Sequence, residues 1–169
     1  MNQNYNLKVS KLTKNPSNKL IENLYYLNQE NTPEVGSIEN IESFSKLFEL
    51  STTSLLVELK DQIIGFIICF RENSIYASEN YKFFNNNKDK FIYIDRIVIK
   101  SGFRRMGFGT KIYNHLDALA SKDFLPICCE VNSVPKNEIS INFHIKNGFT
   151  EVGERDFYNH SVKYFEKYI

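Results

Sequence analysis

Apolar positions along the chain fall into alternating blocks of two periods, and the blocks define the elements. Leu7 to Leu12 alternates with a period of two and predicts a first strand, which Asn15-Pro16-Ser17 breaks. From Ser17, the positions Leu20, Ile21, Leu24, Tyr25 and Leu27 recur at helical spacing and predict a helix to about Gln29. Pro33 and Gly36 mark a loop. Ser37 then reads as an N-cap for a second amphipathic helix through Ile38, Ile41, Phe44, Leu47 and Phe48, ending near Leu50. Leu55–Leu59 and Ile63–Phe70 are two apolar runs joined by Lys60-Asp61-Gln62, the pattern of an antiparallel hairpin.

Residues 71–90 are polar but carry Tyr76, Tyr81, Phe83 and Phe84. Those aromatics argue for packing over a cleft, with a short helix around Tyr81–Phe84 as one option. Phe91–Ile99 is a strand broken in its apolar run only by Asp95-Arg96. A glycine-containing turn follows, then a helix from about Lys111 to Ala120, and a strand over Leu125–Val131. Ser133–Lys136 reads as loop. Asn137 to Asn147 reads as a helix with Asn137 as N-cap, Glu138 in its first turn and Gly148 as its left-handed stop. Phe149–Phe157 and Val162–Tyr168 complete the chain as a strand pair. The predicted order β-α-α-β-β-β-α-β-α-β-β describes one α/β domain over residues 1–169 with a mixed sheet. No linker, internal repeat or low-complexity tract divides it.

Composition narrows the functional classes. At 169 residues and 42% hydrophobic content, the chain is long enough for a full core. A formal net charge of +1 gives no reason to expect a nucleic-acid partner. No apolar run reaches the length of a membrane span, and the polar, Asn-rich start does not read as a signal peptide. Cys69, Cys128 and Cys129 form no disulfide framework and read as buried reduced thiols of a cytosolic protein. No metal-ligand spacing joins them to His115, His144 or His160.

The chemistry concentrates in Ile97 to Thr110. A strand running through glycines into a helix start presents backbone N–H groups and a positive dipole end, which suits a phosphate. Gly107 and Gly109 allow close backbone approach, and Arg104 and Arg105 add positive charge. No Gly-Lys-Ser/Thr follows, so this is not a P-loop of the nucleotide-hydrolysing kind. The stretch also sits too late, in a mixed sheet, for a dinucleotide-binding βαβ unit. Asp95 and Glu130 stand inside apolar strands, where a charge must be paired or used. Each is either an ion-pair partner of Arg96 or a general base. Tyr93, Asp95 and Ile97 share one face of their strand.

Arg104-x-x-Gly107-x-Gly109 after a strand resembles the acetyl-CoA-binding signature of the GCN5-related N-acetyltransferase (GNAT) superfamily. Asn137-x-x-Ser140-x-x-Phe143-His144-x-Lys146-x-Gly148-Phe149 resembles that family's later Asn-x-x-Ala-x-x-Leu-Tyr-x-Lys-x-Gly-Phe helix. Further similarity, at Phe91–Ile97, Cys129–Asn132 and Leu27–Gly36, is to an uncharacterised bacterial subgroup. The resemblance implies the GNAT fold: a mostly antiparallel mixed sheet with a V-shaped splay between its two central strands, flanked by helices.

It also implies an acetyl-CoA-dependent N-acetyltransferase, in which a primary amine of a small molecule, amino acid or peptide attacks the thioester directly in a ternary complex. Acetyl-CoA is then a co-substrate, and no metal is called for. The alternative is a GNAT-fold acyl-CoA binder that has lost its chemistry. The implied cofactor-binding residues are Ile97, Val98 and Ile99 on the strand, Arg104, Arg105, Met106, Gly107, Phe108, Gly109 and Thr110 in the loop, and Asn137 and Phe143. The Ile97 N–H would polarise the thioester oxygen. Glu130 first, and Asp95 second, would take the amine proton. His144 stands where the family often has an acid tyrosine, and either serves as that acid or only packs; Tyr158 is a further candidate. The first two helices would wall the acceptor site, and the last hairpin offers an edge through which a homodimer could form.

Overall fold

The computed structural model describes residues 6–169, and the start of the chain on which the signal-peptide expectation rests lies largely outside the described residues. The elements run β1 (Leu7–Lys11), α1 (Asn18–Gln29), α2 (Ile41–Leu50), β2 (Thr53–Leu59), β3 (Gln62–Arg71), α3 (Glu79–Asn87) and β4 (Ile92–Ile99). A 3-10 turn (Ser101–Phe103), α4 (Phe108–Ala120), β5 (Ile127–Val134), α5 (Glu138–Lys146), β6 (Thr150–Asp156) and β7 (Ser161–Lys167) follow. The strands form one seven-stranded mixed sheet in the order β1-β2-β3-β4-β5-β7-β6, which matches the GNAT fold class. Among the described residues no helix is long and apolar enough to cross a membrane.

The chain falls into two compact units. One takes the chain through Cys69 together with Arg96–His115; the other takes Phe70–Asp95 with Leu116–Ile169.

In the first unit, β1 runs antiparallel to β2, and β2 turns into β3 through Lys60 and Asp61. Both turn residues have positive φ, +49° and +62°, which is the two-residue hairpin geometry that follows the strands' own twist. Glycine is required at position 65 by space: a Cβ there would stand 2.3 Å from the Val98 carbonyl oxygen. Phe44, Phe48 and Phe66 pack edge-on or tilted, with centroids 5.1–6.2 Å apart, and bring α2 onto β3. Ser17, from which the helical spacing runs, caps α1. The second helix starts later than the sequence suggests, with Asn40 rather than Ser37 as its cap. The residues between are used to fasten the loop to α1. The Ile38 N–H bonds the Gln29 side chain, and the Tyr25 hydroxyl reaches the Ile38 carbonyl.

In the second unit, β4 pairs with β5 in parallel from Ile92 to Ile94, against Ile127 to Cys129. Strand β5 continues past Val131 to Val134, absorbing the start of the expected loop, because Asn132 and Val134 find partners in Val162 and Ser161. Strand β7 then pairs with β6, which forms the sheet edge. Asn137 caps α5 through the Ser140 N–H, and Gly148 ends it at φ +88°.

The insert holds a true helix absent from the predicted order. Ser78 caps α3, and Tyr81 and Phe84 bury one face of it. All three cysteines are buried, and no disulfide joins them.

Candidate functional site

In the first unit, β4 leads through the Ser101–Phe103 turn into the glycine loop. The Lys100 N–H anchors this end of the strand to the Ile64 carbonyl at 2.8 Å. Arg105 and Gly107 both take positive φ, +61° and +80°, so the loop makes a left-handed turn just before α4. A Cβ on Gly107 would meet nothing within 4 Å, so the space beside this backbone is open.

The helix begins at Phe108, three residues earlier than its periodicity suggests, because buried Phe108 anchors the first turn. The Lys111 N–H closes the first turn on the Gly107 carbonyl. Gly109 and Thr110 therefore lie in the first turn, where a helix has no carbonyl of its own to offer its N–H groups. Met106 and Thr110 are exposed beside them.

Arg104 is placed otherwise than the phosphate reading expects. Its Nε–H bonds the Ile99 carbonyl at 3.1 Å, and its Nη2 donates to the Asn31 side chain. Asn31 is itself buried and donates to the Leu27 carbonyl at 2.7 Å. Arg96 makes a second tie, from its Nη1 to the Asn28 side chain at 2.9 Å and to the Gly36 carbonyl. Two arginines thus brace the loop after α1 against the end of β4 and the glycine loop. Val98 is buried, while Ile97 and Ile99 are half-buried.

The carboxylates gather in the second unit. Tyr93 lies opposite Cys128, so Tyr93, Asp95, Cys128 and Glu130 share one sheet face. Tyr164, opposite Glu130 on β7, joins them. The Tyr93 hydroxyl donates to Glu130 Oε2 at 2.8 Å, and the Tyr76 hydroxyl donates to Asp95 Oδ1 at 2.6 Å. Tyr76 is held for this by stacking on Phe70, with centroids 4.1 Å apart. Asn80 of α3 stands beside the cluster, where its Oδ1 accepts from the Tyr164 hydroxyl at 3.0 Å.

Burial pushes the Glu130 carboxyl up to about 8, and the Asp95 charge acts in the same direction. The hydrogen bond from Tyr93 pulls it the other way. Burial likewise holds Tyr93 well above the ordinary phenol range. The same effect raises Cys128 to about 12, leaving it a protonated thiol at neutral pH.

The helix-borne candidates stand apart from this cluster. Asn137 spends its side-chain oxygen on capping α5. Phe143 is half-buried and meets His144 edge-on. The His144 ring is buried between Phe149 and Phe165, with Nδ1 2.7 Å from the Ser140 carbonyl oxygen. Burial lowers its pKa, so it is a neutral ring at pH 7. Tyr158 is fully exposed in the turn between β6 and β7.

Sequence reasoning singled out Glu130 and Asp95 but not Asn80 or Tyr164. Tyr93 and Tyr76 were visible as a face-mate and an insert aromatic, without their hydroxyl partners. Among the described residues no group of three or more His, Cys, Asp or Glu is placed to hold a metal.

The sequence profile of the acetyltransferase (GNAT) family matches residues 21–149. A search of curated proteins finds no match. Among solved structures, Ard1 from Thermoplasma volcanium superposes with a TM-score of 0.73 at 17% identity, over 96% of this chain and 97% of that one. Naa50 from Arabidopsis thaliana, in complex with the bisubstrate analogue CoA-Ac-MVNAL, gives 0.69 at 18% identity, over 95% and 97%. The ribosomal-protein-S18-alanine N-acetyltransferase from Escherichia coli gives 0.69 at 15% identity, over 96% and 94%. At such identities the likeness is one of fold.

Proposed function

The chain belongs to the acetyltransferase (GNAT) family, and from that premise we propose that it transfers an acetyl group from acetyl-CoA to a primary amine. The acceptor is a small molecule, an amino acid or a peptide amine. The amine attacks the thioester carbonyl directly, with no acyl-enzyme between, so holding both substrates together supplies much of the rate.

The observation that carries the reading is the junction of β4 with α4. A left-handed turn at Arg105 and Gly107 opens beside a helix start whose first-turn N–H groups lack helical acceptors. This suits the pyrophosphate of the donor, with Gly109 and Thr110 contributing amides and Thr110 its hydroxyl. Ile97 and Ile99 would offer backbone groups to the pantetheine arm, with the Ile97 N–H at the thioester oxygen. Arg104 would serve by bracing the loop rather than by reaching the phosphate, since its guanidinium is engaged by Asn31 and Ile99. Asn137 and Phe143 remain the candidates for contacts along the arm.

Glu130 is the proposed base. A carboxyl that titrates near 8 is matched to an amine nucleophile far better than an ordinary glutamate, whose conjugate acid is too strong to hold the proton. Asp95 stands second. For the departing thiolate, the candidates are Tyr158 and His144, which would first have to take up a proton because burial keeps its ring neutral.

The test is a thiol-release screen with acetyl-CoA across amines, amino acids and peptides, paired with acetyl-CoA binding. Turnover with at least one acceptor, and loss of binding in Gly107→Glu, is the expected result. Unchanged binding in Gly107→Glu would overturn the donor site. Tight donor binding without turnover on any acceptor would overturn the activity.

A further inference from the structure

We propose that Asn31 is a positioning residue for the donor site, a role that rests on the junction of β4 with α4 being that site. Asn31 holds the guanidinium of Arg104. Through it, Asn31 holds the turn that carries β4 into α4 in the shape that receives acetyl-CoA.

The bonds around Asn31 leave its amide one orientation. Its backbone N–H donates to the Asn28 carbonyl at 2.9 Å, and its carbonyl accepts from the Val35 N–H at 3.1 Å. Its Nδ2 donates to the Leu27 carbonyl at 2.7 Å, and its Oδ1 accepts from Arg104 Nη2. A carbonyl only accepts and a guanidinium only donates, so these two partners set which end of the amide faces which. Every polar group of Asn31 is engaged, as its burial requires.

Arg104 supplies the other half. Its Nε–H returns to the Ile99 carbonyl at 3.1 Å. Within that span the Phe103 N–H bonds the Lys100 carbonyl at 2.9 Å, and the Arg104 N–H bonds the Ser101 carbonyl at 3.2 Å. The turn from Ile99 to Arg104 is thus closed from within, and the fork of its last residue fastens it to the segment after α1. Arg105 and Gly107, both at positive φ, follow directly. A shift of Arg104 would pass straight into that left-handed turn and on to the first-turn N–H groups of α4. A planar fork that meets two acceptors at once has one geometry, which the point charge of a lysine cannot reproduce. The loop draws on this geometry rather than on the positive charge.

Arg96 fastens the same segment at a different place. Its Nη1 donates to the Asn28 side chain at 2.9 Å and to the Gly36 carbonyl. Asn28 is also wholly buried, and its Nδ2 donates to the Gln29 side chain at 3.0 Å and to the Gly36 carbonyl at 3.3 Å. This second tie secures the segment to β4 without holding Arg104, so it separates a general loosening from loss of the Arg104 anchor.

Hydrogen exchange and binding test the role separately. In the ligand-free full-length protein, the Arg104 Nε–H is assigned in 15N NMR spectra with Arg104→Lys. It is expected to exchange roughly tenfold faster in Asn31→Ala than in wild type. Asn31→Ala, Arg104→Gln and Arg104→Lys are each expected to weaken acetyl-CoA binding by roughly tenfold. Asn31→Ala combined with Arg104→Lys adds little, because both release one tie. The salt dependence of binding is expected to stay that of wild type in all of them. Arg96→Lys is expected to lower Tm while costing less acetyl-CoA affinity than Asn31→Ala. Equal exchange of the Arg104 Nε–H in wild type and Asn31→Ala would overturn the tie. Wild-type affinity in Arg104→Lys, with a loss and a shallower salt dependence in Arg104→Gln, would make Arg104 a phosphate ligand and overturn the role. So would a loss in Arg96→Lys as large as that in Asn31→Ala. A wild-type protein that binds no acetyl-CoA would overturn the donor site and this role with it. Binding lost in Gly107→Glu but intact in Asn31→Ala would keep the donor site and remove Asn31 from it.

Discussion

The Tyr93 hydroxyl donates to Glu130 Oε2 across 2.8 Å, joining two adjacent parallel strands by their side chains beside the backbone pairing of Ile92–Ile94 with Ile127–Cys129. Each group suits the other: a phenol held far from ionisation is a steady donor, and a buried carboxylate needs a donor. The pH dependence of the reaction should follow from it. kcat/KM is expected to rise with pH and level off near 8, where Glu130 becomes ionised. Glu130→Gln should flatten this limb and lower the rate by about 10²–10⁴-fold. A steady-state pH series on both proteins, with the acceptor found by the screen, checks it.

Stability should follow the same carboxyl with the opposite slope. Its folded-state pKa lies above the ordinary value of 4.5, so the folded protein binds the proton more tightly than the unfolded chain. The stabilisation is complete below about 4.5 and is lost as pH rises through about 8. Urea denaturation between pH 5 and pH 9 should show wild type losing stability relative to Glu130→Gln across this window. Equal pH slopes would contradict the desolvation of Glu130.

His144 has the reverse sign. Burial depresses its pKa, so its contribution is present above the ordinary histidine value of 6.5 and is lost as pH falls through the folded-state value. His144→Leu should abolish this acid-side loss while costing the Ser140 contact, about 1 kcal/mol at neutral pH. Thermal unfolding at pH 7 and pH 5 gives the comparison. Retained turnover in the variant would mark His144 as a packing residue.

Three glycines should respond differently to alanine because three different constraints act on them. Gly65→Ala drives a Cβ into the Val98 carbonyl and should cost about 3 kcal/mol or more. Gly107→Ala meets no atom but must hold φ +80°, for about 1–2 kcal/mol. Gly102→Ala meets neither obstacle and should stay within about 0.5 kcal/mol of wild type. Chemical denaturation ranks the three.

Much of the fold was legible because local rules decide it. The two apolar runs placed both strands of the β2–β3 hairpin to within two residues. The cap Asn137 and the stop at Gly148 act through their own backbone neighbours, so their roles could be assigned in isolation. The failure at Ser37 shows the limit. A serine before an apolar stripe is a valid cap, but the Ile38 N–H and carbonyl are claimed by Gln29 and Tyr25, and the helix starts three residues later. The α3 helix was only half visible because its polar face hides its period; Tyr81 and Phe84 alone are buried.

By itself, the sequence determined most of the elements, the glycine-containing junction between β4 and α4, and the family through motifs whose residues lie close together in the chain. These depend on backbone sterics and on neighbours three or four positions away. Only the tertiary structure decided what surrounds the carboxylates. Asn80 and Tyr164 are 84 residues apart, and Tyr93 and Glu130 are 37 apart. They meet because strand register places Tyr93, Glu130 and Tyr164 on one face and a helix from the insert lies where it can reach them. A shift of one residue in β5 would turn Glu130 to the opposite face and replace it with Cys129. Likewise, Arg104 reads as a phosphate ligand in the motif, yet the fold brings Asn31 to its guanidinium and makes it a brace.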